Sequence, residues 1–263
     1  MRTCPVCGGG TSRIELRLGD YDIYQCPTCT FRFAPDAFDA HVDYDDVYAA
    51  EEYRREQIAV LRECKDFGEF ALHGSYRPFF DRVQPSGKCR LLDVGCGVGR
   101  FALAAAGRGW EVVGIDVSED ALSVGREFAD FPLRRETLEE VVEKGEWFEA
   151  VTAFEVLEHL SDPVSFLRLL SKVGRQVFCT VPNWAWQELH TTTKRDWIPP
   201  IHLGFFTEAS LSKAAEAAGL VEIAIGVIGS DTSTGLKRVS RRIRGKPDHP
   251  MGLWLHAKSP RHL

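Results

Sequence analysis

Two pairs of cysteines open the sequence, Cys4 and Cys7 in "CPVC" and Cys26 and Cys29 in "CPTC". A CxxC turn aims two thiolates at one point, so two such turns joined by a hairpin form a tetrahedral site for zinc. Four protein ligands leave no open position, which makes such a metal structural rather than catalytic. Paired disulfides are the alternative, and they call for an oxidising compartment that nothing in the sequence announces. Cys64, Cys89, Cys96 and Cys179 show no comparable spacing. A second group sits in "FEVLEHL", residues 154–160. On a helix starting there, Glu155, Glu158 and His159 occupy i, i+3 and i+4 and converge on one side. With His202 of "DWIPPIHLGFFT" they would supply two carboxylates and two imidazoles. That is a mixed oxygen and nitrogen shell suited to a divalent ion such as magnesium or manganese. Without an ion, His159 is the leading general base, because imidazole titrates near neutral pH. The plainer alternative has Glu158 paired with an arginine and His159 capping a loop, since charged residues gather at helix starts on dipole grounds alone.

A third stretch, "LLDVGCGVGR" at 91–100, places Gly95, Gly97 and Gly99 directly behind an apolar run. Glycines at the end of a buried strand let the backbone turn sharply and approach a ligand, while the following helix points its N–H groups at the same cavity. A dinucleotide fingerprint would need glycine where Arg100 stands, so the spacing GxGxG cradles a different cofactor. The next apolar run, "EVVGID", ends in Asp116, whose two oxygens can accept hydrogen bonds from both hydroxyls of a ribose.

The elements that must position these residues follow from periodicity. Strands are expected at 90–94, 111–115, 148–154, 175–181, 220–228 and 252–258, with a weaker one near 131–134. Ser118, Ser161-Asp162-Pro163 and Thr207 open the helices between them, and Gly219 closes the last. The alternation predicts an α/β, Rossmann-like, doubly wound and mostly parallel sheet of seven strands, with ligands at the carboxyl ends of the strands. Three segments result: a zinc ribbon at 1–40, a helical linker or lid at 41–86 and the sheet domain at 87–263. In the middle segment, "DVYAAEEYRREQIAVLREC" and "SYRPFFDRV" read as helices that either pack on the sheet domain or cover its substrate.

Composition narrows the classes. With 263 residues, 44% hydrophobic and 27% charged, the chain can bury one substantial core. A formal charge of -6 disfavours a dedicated nucleic-acid binder without excluding a local basic patch, and residues 237–246 form one. No apolar run suits a membrane span and no secretory pattern is visible, so a cytoplasmic location is expected.

Taken in order, "LLDVGCGVGR", "VVGIDVS", "FEAVTAFEVLEHL" and "VPN" resemble the class I S-adenosylmethionine-dependent methyltransferases over about residues 89–228. The resemblance implies that Gly95, Cys96, Gly97 and Gly99 surround the methionine part of the cofactor and that Asp93 lies near its amino group. It implies that Asp116 holds the ribose, that Val117, Thr137 and Leu138 flank adenine, and that Phe154 completes the cofactor set. The Glu-x-x-Glu-His pattern is similar to ubiquinone-pathway O-methyltransferases and to enzymes that 2′-O-methylate small-RNA ends, in which it holds a divalent ion.

The function expected is methyl transfer to a small-molecule acceptor, most simply at an oxygen of a metabolite or sugar-containing precursor. Two rivals stand beside it: an RNA methyltransferase that uses ribbon and basic stretch, and a non-catalytic cofactor-binding module that recruits a partner. The aromatic stretch from Asn183 to Phe206, with Trp184, Trp186, His190, Trp197, Phe205 and Phe206, could stack on a planar acceptor or simply cover the core.

Overall fold

The computed structural model describes the chain apart from residues 1, 11–12, 41, 44, 46–50, 65, 73, 86–88, 191–197, 230–249 and 261–263. The basic stretch at 237–246, Val47, Tyr48 and Trp197 therefore lie outside the described residues.

Each CxxC turn closes on its own backbone. The N–H of Gly8 donates to the Cys4 carbonyl at 2.9 Å, and the N–H of Thr30 donates to the Cys26 carbonyl at 2.9 Å. Between the turns, β1 (Arg13–Leu18) and β2 (Tyr21–Gln25) form an antiparallel hairpin, and β3 (Arg32–Phe33) pairs with β2. Arg32 is buried because Glu15 takes its guanidinium in a bidentate pair and Trp184 lies under it at 5.0 Å. A desolvated guanidinium needs such partners.

Helix α1 (Glu51–Glu63) packs Leu61, 1% exposed, into a cluster with Val98, Leu103, Ala121 and Val124. The helix expected over 75–83 is reduced to one turn, α2 (Arg77–Phe80), with Phe79 and Phe80 buried. Beyond it the chain alternates: β4 (Arg90–Val94), α3 (Arg100–Ala106), β5 (Glu111–Asp116), α4 (Glu119–Gly125), β6 (Leu133–Arg135), α5 (Leu138–Glu143), β7 (Phe148–Phe154), α6 (Pro163–Val173) and β8 (Gly174–Pro182). Then come α7 (Trp184–His190), β9 (Gly204–Phe205), α8 (Glu208–Ala217), β10 (Val221–Ile228) and β11 (Gly252–Lys258). Three of the expected caps form: Ser118 accepts from the Ala121 N–H, Asp162 from the Ser165 N–H, and Thr207 from the Ser210 N–H.

Seven strands lie in the order β10-β11-β8-β7-β4-β5-β6. Strands β4 to β8 run parallel, and β11 runs antiparallel to both its neighbours. Side chains alternate between the two faces of the sheet, as the strand period requires. Leu91, Val112, Ala150 and Phe178 join the cluster under α2 and α3, whereas Leu92, Val113, Val151 and Val177 join the one under α5, α6 and α8. Buried on both faces, these strands read in the sequence as near-continuous apolar runs.

The ribbon does not stand apart from this body. Strand β3 pairs antiparallel with β9, so β1, β2, β3 and β9 form a second sheet of four strands. Cys4, Val6, Cys26, Cys29, Phe31 and Phe33 share a buried cluster with Phe206, Leu211 and the sheet's own core residues. Trp184 is 3% exposed and Phe205 and Phe206 are fully buried, so these three aromatics cover the core rather than face an acceptor.

Candidate functional site

β4 and β5 end side by side, and their ends shape the first half of the site. Gly95 and Gly97 have φ of 69° and 54°, a left-handed backbone that side chains resist, and a Cβ on Gly95 would meet Val156 at 2.6 Å. The turn is tied to β5: the N–H groups of Gly95 and Cys96 both donate to the Ile115 carbonyl, and that of Gly97 donates to Asp116 Oδ2 at 2.7 Å. The other oxygen of Asp116 accepts from the Ser118 N–H at 2.9 Å. Burial raises the Asp116 pKa while these N–H bonds hold it down. A carboxylate carries about four lone-pair sites, so two remain for a ligand.

Asp93 lies under the loop, 2% exposed, and accepts from Thr152 Oγ1 at 2.8 Å. Burial pushes its pKa up to about 7, against the Thr152 bond and with the Asp116 charge adding to the rise. A cationic ammonium is the kind of ligand group that would reverse this shift.

A cavity of about 330 Å³ opens in front of these strand ends. Gly95, Asp116, Val117, Thr137 and Leu138 line it, as expected, and so do Val156, Leu160 and Phe166, which sequence reasoning missed. Their apolar spacing is indistinguishable from core, so no signal marked them. Asp93, Cys96, Gly97, Gly99 and Phe154 are not in the lining. Phe154 instead packs against Phe101 at 4.2 Å and Tyr76 at 5.0 Å between ring centres. The hydroxyl of Thr137 caps α5, with Glu140 returning the bond to the Thr137 N–H at 2.7 Å.

At the cavity's far end stand Glu155 and His159. Here the structure corrects the helical spacing assumed for this group. Residues Leu157–His159 form a single 3-10 turn, and Glu155 precedes it with φ of 55°. Glu155 turns toward β8, where Thr180 Oγ1 donates to it at 2.8 Å and burial raises its pKa to about 7. Glu158, His159 and His202 alone bring their ligand atoms within 4.8 Å of one another. The expected quartet is a trio, because a tight turn rotates Glu155 away from the face that an α-helix would have given it.

That trio has an unusual carboxylate. Glu158 is 1% exposed, and neither of its side-chain oxygens has a hydrogen-bond partner. Burial first, and then the Glu155 charge, push its pKa well up. His159 Nδ1 donates to the Ile201 carbonyl at 2.8 Å, which turns Nε2 toward Glu158 Oε1 at 3.9 Å. The two imidazoles meet edge to face at 4.8 Å. Burial lowers the His159 pKa, and burial with the neighbouring His159 brings His202 down to about 3, so both rings are neutral and able to bind a cation.

Gln187, on α7 and 1% exposed, contacts His202 Nδ1 at 3.1 Å, and its Oε1 has no partner. The two ends of an amide are equivalent in size. Turned over, Gln187 would accept from Nδ1–H and present the His202 Nε2 lone pair, the usual outer support of a metal-bound histidine. A glutamine directly after "WAW" was the available sequence signal.

The four thiols converge as their spacing predicts. Cys4 and Cys29 lie 3.6 Å apart, and Cys7 and Cys26 3.5 Å apart. Zinc–sulfur bonds of about 2.3 Å give tetrahedral edges of about 3.8 Å, so the donor set fits zinc. The hydrogen bond with Cys29 lowers the Cys4 pKa to about 5, and Cys29 moves up in step.

A glycine turn at the switch point of a doubly wound sheet, an acid at the next strand end and a cavity between them define a class of nucleoside-cofactor enzymes. Within it, the methyltransferase domain family model matches residues 51–224, and the chain belongs to that family. The ubiquinone biosynthesis O-methyltransferase of Ruegeria pomeroyi is 33% identical over 156 residues, 54% of this chain and 63% of the relative. The chain thus spans less than two thirds of the length of this curated relative. An S-adenosylmethionine-dependent methyltransferase from Mesorhizobium loti superposes with a TM-score of 0.53 at 17% identity, covering 72% of this chain and 99% of its own. The plantazolicin methyltransferase BpumL, solved with S-adenosylhomocysteine, gives 0.53 at 14% identity, covering 82% and 93%. These likenesses establish the class I S-adenosylmethionine-dependent methyltransferase fold.

Proposed function

We propose that this chain transfers the methyl group of S-adenosylmethionine to an oxygen of a small-molecule acceptor. One observation carries the proposal: a single cavity runs from Asp116 and Thr137 to His159, with the unpartnered Glu158 carboxylate beside it. Adenosine fits the Asp116 end, where Val117 and Leu138 offer apolar walls. The methyl group then points toward His159.

Transfer is a displacement. The acceptor oxygen bonds to the methyl carbon, the carbon–sulfur bond breaks, and the sulfur keeps the electron pair as neutral S-adenosylhomocysteine. Because the sulfonium brings its own leaving group, alignment supplies much of the rate. An oxygen acceptor must also lose its proton. With no ion bound, neutral His159 can take it at Nε2, the same lone pair that would otherwise ligate an ion, while Ile201 holds the ring through Nδ1.

Glu158, His159 and His202 would hold a divalent ion, whose chemistry there is to lower the acceptor's pKa. The fit rests on the buried carboxylate that lacks partners and on the two neutral rings. The four cysteines would hold zinc at a separate, closed site.

Calorimetry with S-adenosylhomocysteine tests the cofactor half. Asp116→Ala should weaken binding by about 1.5–3 kcal/mol, the range for hydrogen bonds to a charged group. Unchanged affinity refutes the ribose assignment. Incubation with methyl-labelled cofactor and a metabolite extract tests the acceptor half: label should enter small molecules, with magnesium or manganese restoring activity after mild chelation. Label found in the RNA fraction alone would overturn the small-molecule assignment.

A further inference from the structure

We infer that the four-cysteine ribbon positions the acceptor side of the active centre, and only that side, through residues 201–207. The inference takes its functional meaning from the cation site proposed above, but its geometry is independent. The connection runs through one residue. The N–H of Ala34, just past β3, donates to the Leu203 carbonyl at 2.9 Å, and the N–H of Leu203 donates to the Glu158 carbonyl at 2.7 Å. Ile201, two residues earlier, accepts from His159. His202 sits between these anchors, 5% exposed.

The ribbon runs along this short segment, beside Asn183 and Trp184. Arg32 pairs with Phe205 and Phe33 with Gly204 in the β3–β9 ladder. Phe31 meets Phe206 at 4.8 Å, and the hydroxyls of Thr30 and Thr207 lie 2.9 Å apart. Cys26 and Cys29 immediately precede these residues. Zinc at the four sulfurs would therefore fix Thr30 to Ala34, and through them Leu203. Without that fixed strand, the two-residue β9 loses its one neighbour in the four-stranded sheet among the described residues, and the segment keeps the Glu158 bond to Leu203 and the Asn183 bridge and Trp184 N–H bond to Phe206. A strand so short does not hold its place alone.

The cofactor end is built differently. None of the residues lining the cavity belongs to the ribbon or to 201–207. Asp116, Gly95 and Thr137 are held by the parallel sheet and its caps. Losing the ribbon's order should thus uncouple two properties that a global loss of stability would lower together.

The full-length protein allows this to be measured. Gly204→Ala brings a Cβ to 2.7 Å from Phe31 Cζ and wedges the ribbon from β9 without touching a thiol or a catalytic group. Thr30→Val removes the hydroxyl bridge, and Thr30→Ser keeps it. We expect Gly204→Ala and zinc-depleted wild type to exchange the Leu203 amide about tenfold faster or more. The histidine ring NMR signals of His159 and His202 should shift, and manganese affinity by electron paramagnetic resonance should fall about tenfold. S-adenosylhomocysteine affinity should stay within about twofold. Thr30→Val should move the ring signals in the same direction, and Thr30→Ser should not. Unchanged Leu203 exchange and ring signals after zinc removal would overturn the inference, as would a parallel fall in S-adenosylhomocysteine affinity. If wild type binds no manganese, the cation site fails, while exchange and ring signals still decide the coupling.

Discussion

Asp93 is a buried carboxyl whose protonation is linked to folding. Its pKa of about 7 means that the folded, cofactor-free protein holds a proton there which an unfolded aspartate, at about 3.8, has released. Between those values the native state binds more protons than the unfolded one, so stability declines as pH rises from about 4 to about 7. Asp93→Asn removes the charge. Scanning calorimetry of the cofactor-free variant should show a larger gain in melting temperature at pH 8 than at pH 5; equal gains at both would contradict the assignment. The resemblance implies that Asp93 lies near the cofactor; the structure buries it beside Thr152 and leaves it out of the cavity lining. Glu155 was less legible. Its φ of 55° and its bond to Thr180 depend on how β7 and β8 end together, which no spacing within "FEVLEHL" reveals.

Strands and caps were the legible elements. Six strand segments fell within a residue or so of their expected ends, because a strand buried on both faces writes itself as an apolar run. The two-residue β9 and the 3-10 turn at 157–159 have no period to detect. The link before α1 was also hidden. Asp45 accepts from Ser118 Oγ at 2.7 Å and pairs with Arg135 at 3.5 Å, which ties the segment before α1 to the N-terminus of α4. The same hydroxyl accepts from the Ala121 N–H as the helix cap. Ser118→Ala loses both bonds and should cost about 1 kcal/mol in urea denaturation, the usual worth of a cap. Asp45→Ala, which spares the cap, should cost less. No measurable loss in Ser118→Ala would mean that the cap contributes nothing.

At the scale of the molecule, the ribbon is joined to the sheet domain by backbone hydrogen bonds and a shared core. Metal analysis should find one zinc per chain. Cys26→Ser should lower both that content and the melting temperature of the whole protein, since so small a ribbon has little apolar area to order it without metal. Zinc-free protein with two disulfides would refute the assignment. The cysteine spacing made the site readable from the sequence. Its attachment was not, because β3 and β9 are paired across most of the chain's length and each is too short to announce a partner.

That separation in sequence has a consequence for biosynthesis. On a ribosome the two CxxC turns are made before the sheet domain, yet the strand that completes their sheet is synthesised only after β4 to β8. Until then the free edge of β3 and the rings of Phe31 and Phe33 lack their cover, and a nascent chain stalled before residue 204 would present an unpaired strand beside exposed aromatics, a surface prone to association. Completion of the four-stranded sheet is thereby deferred until the parallel core has been translated.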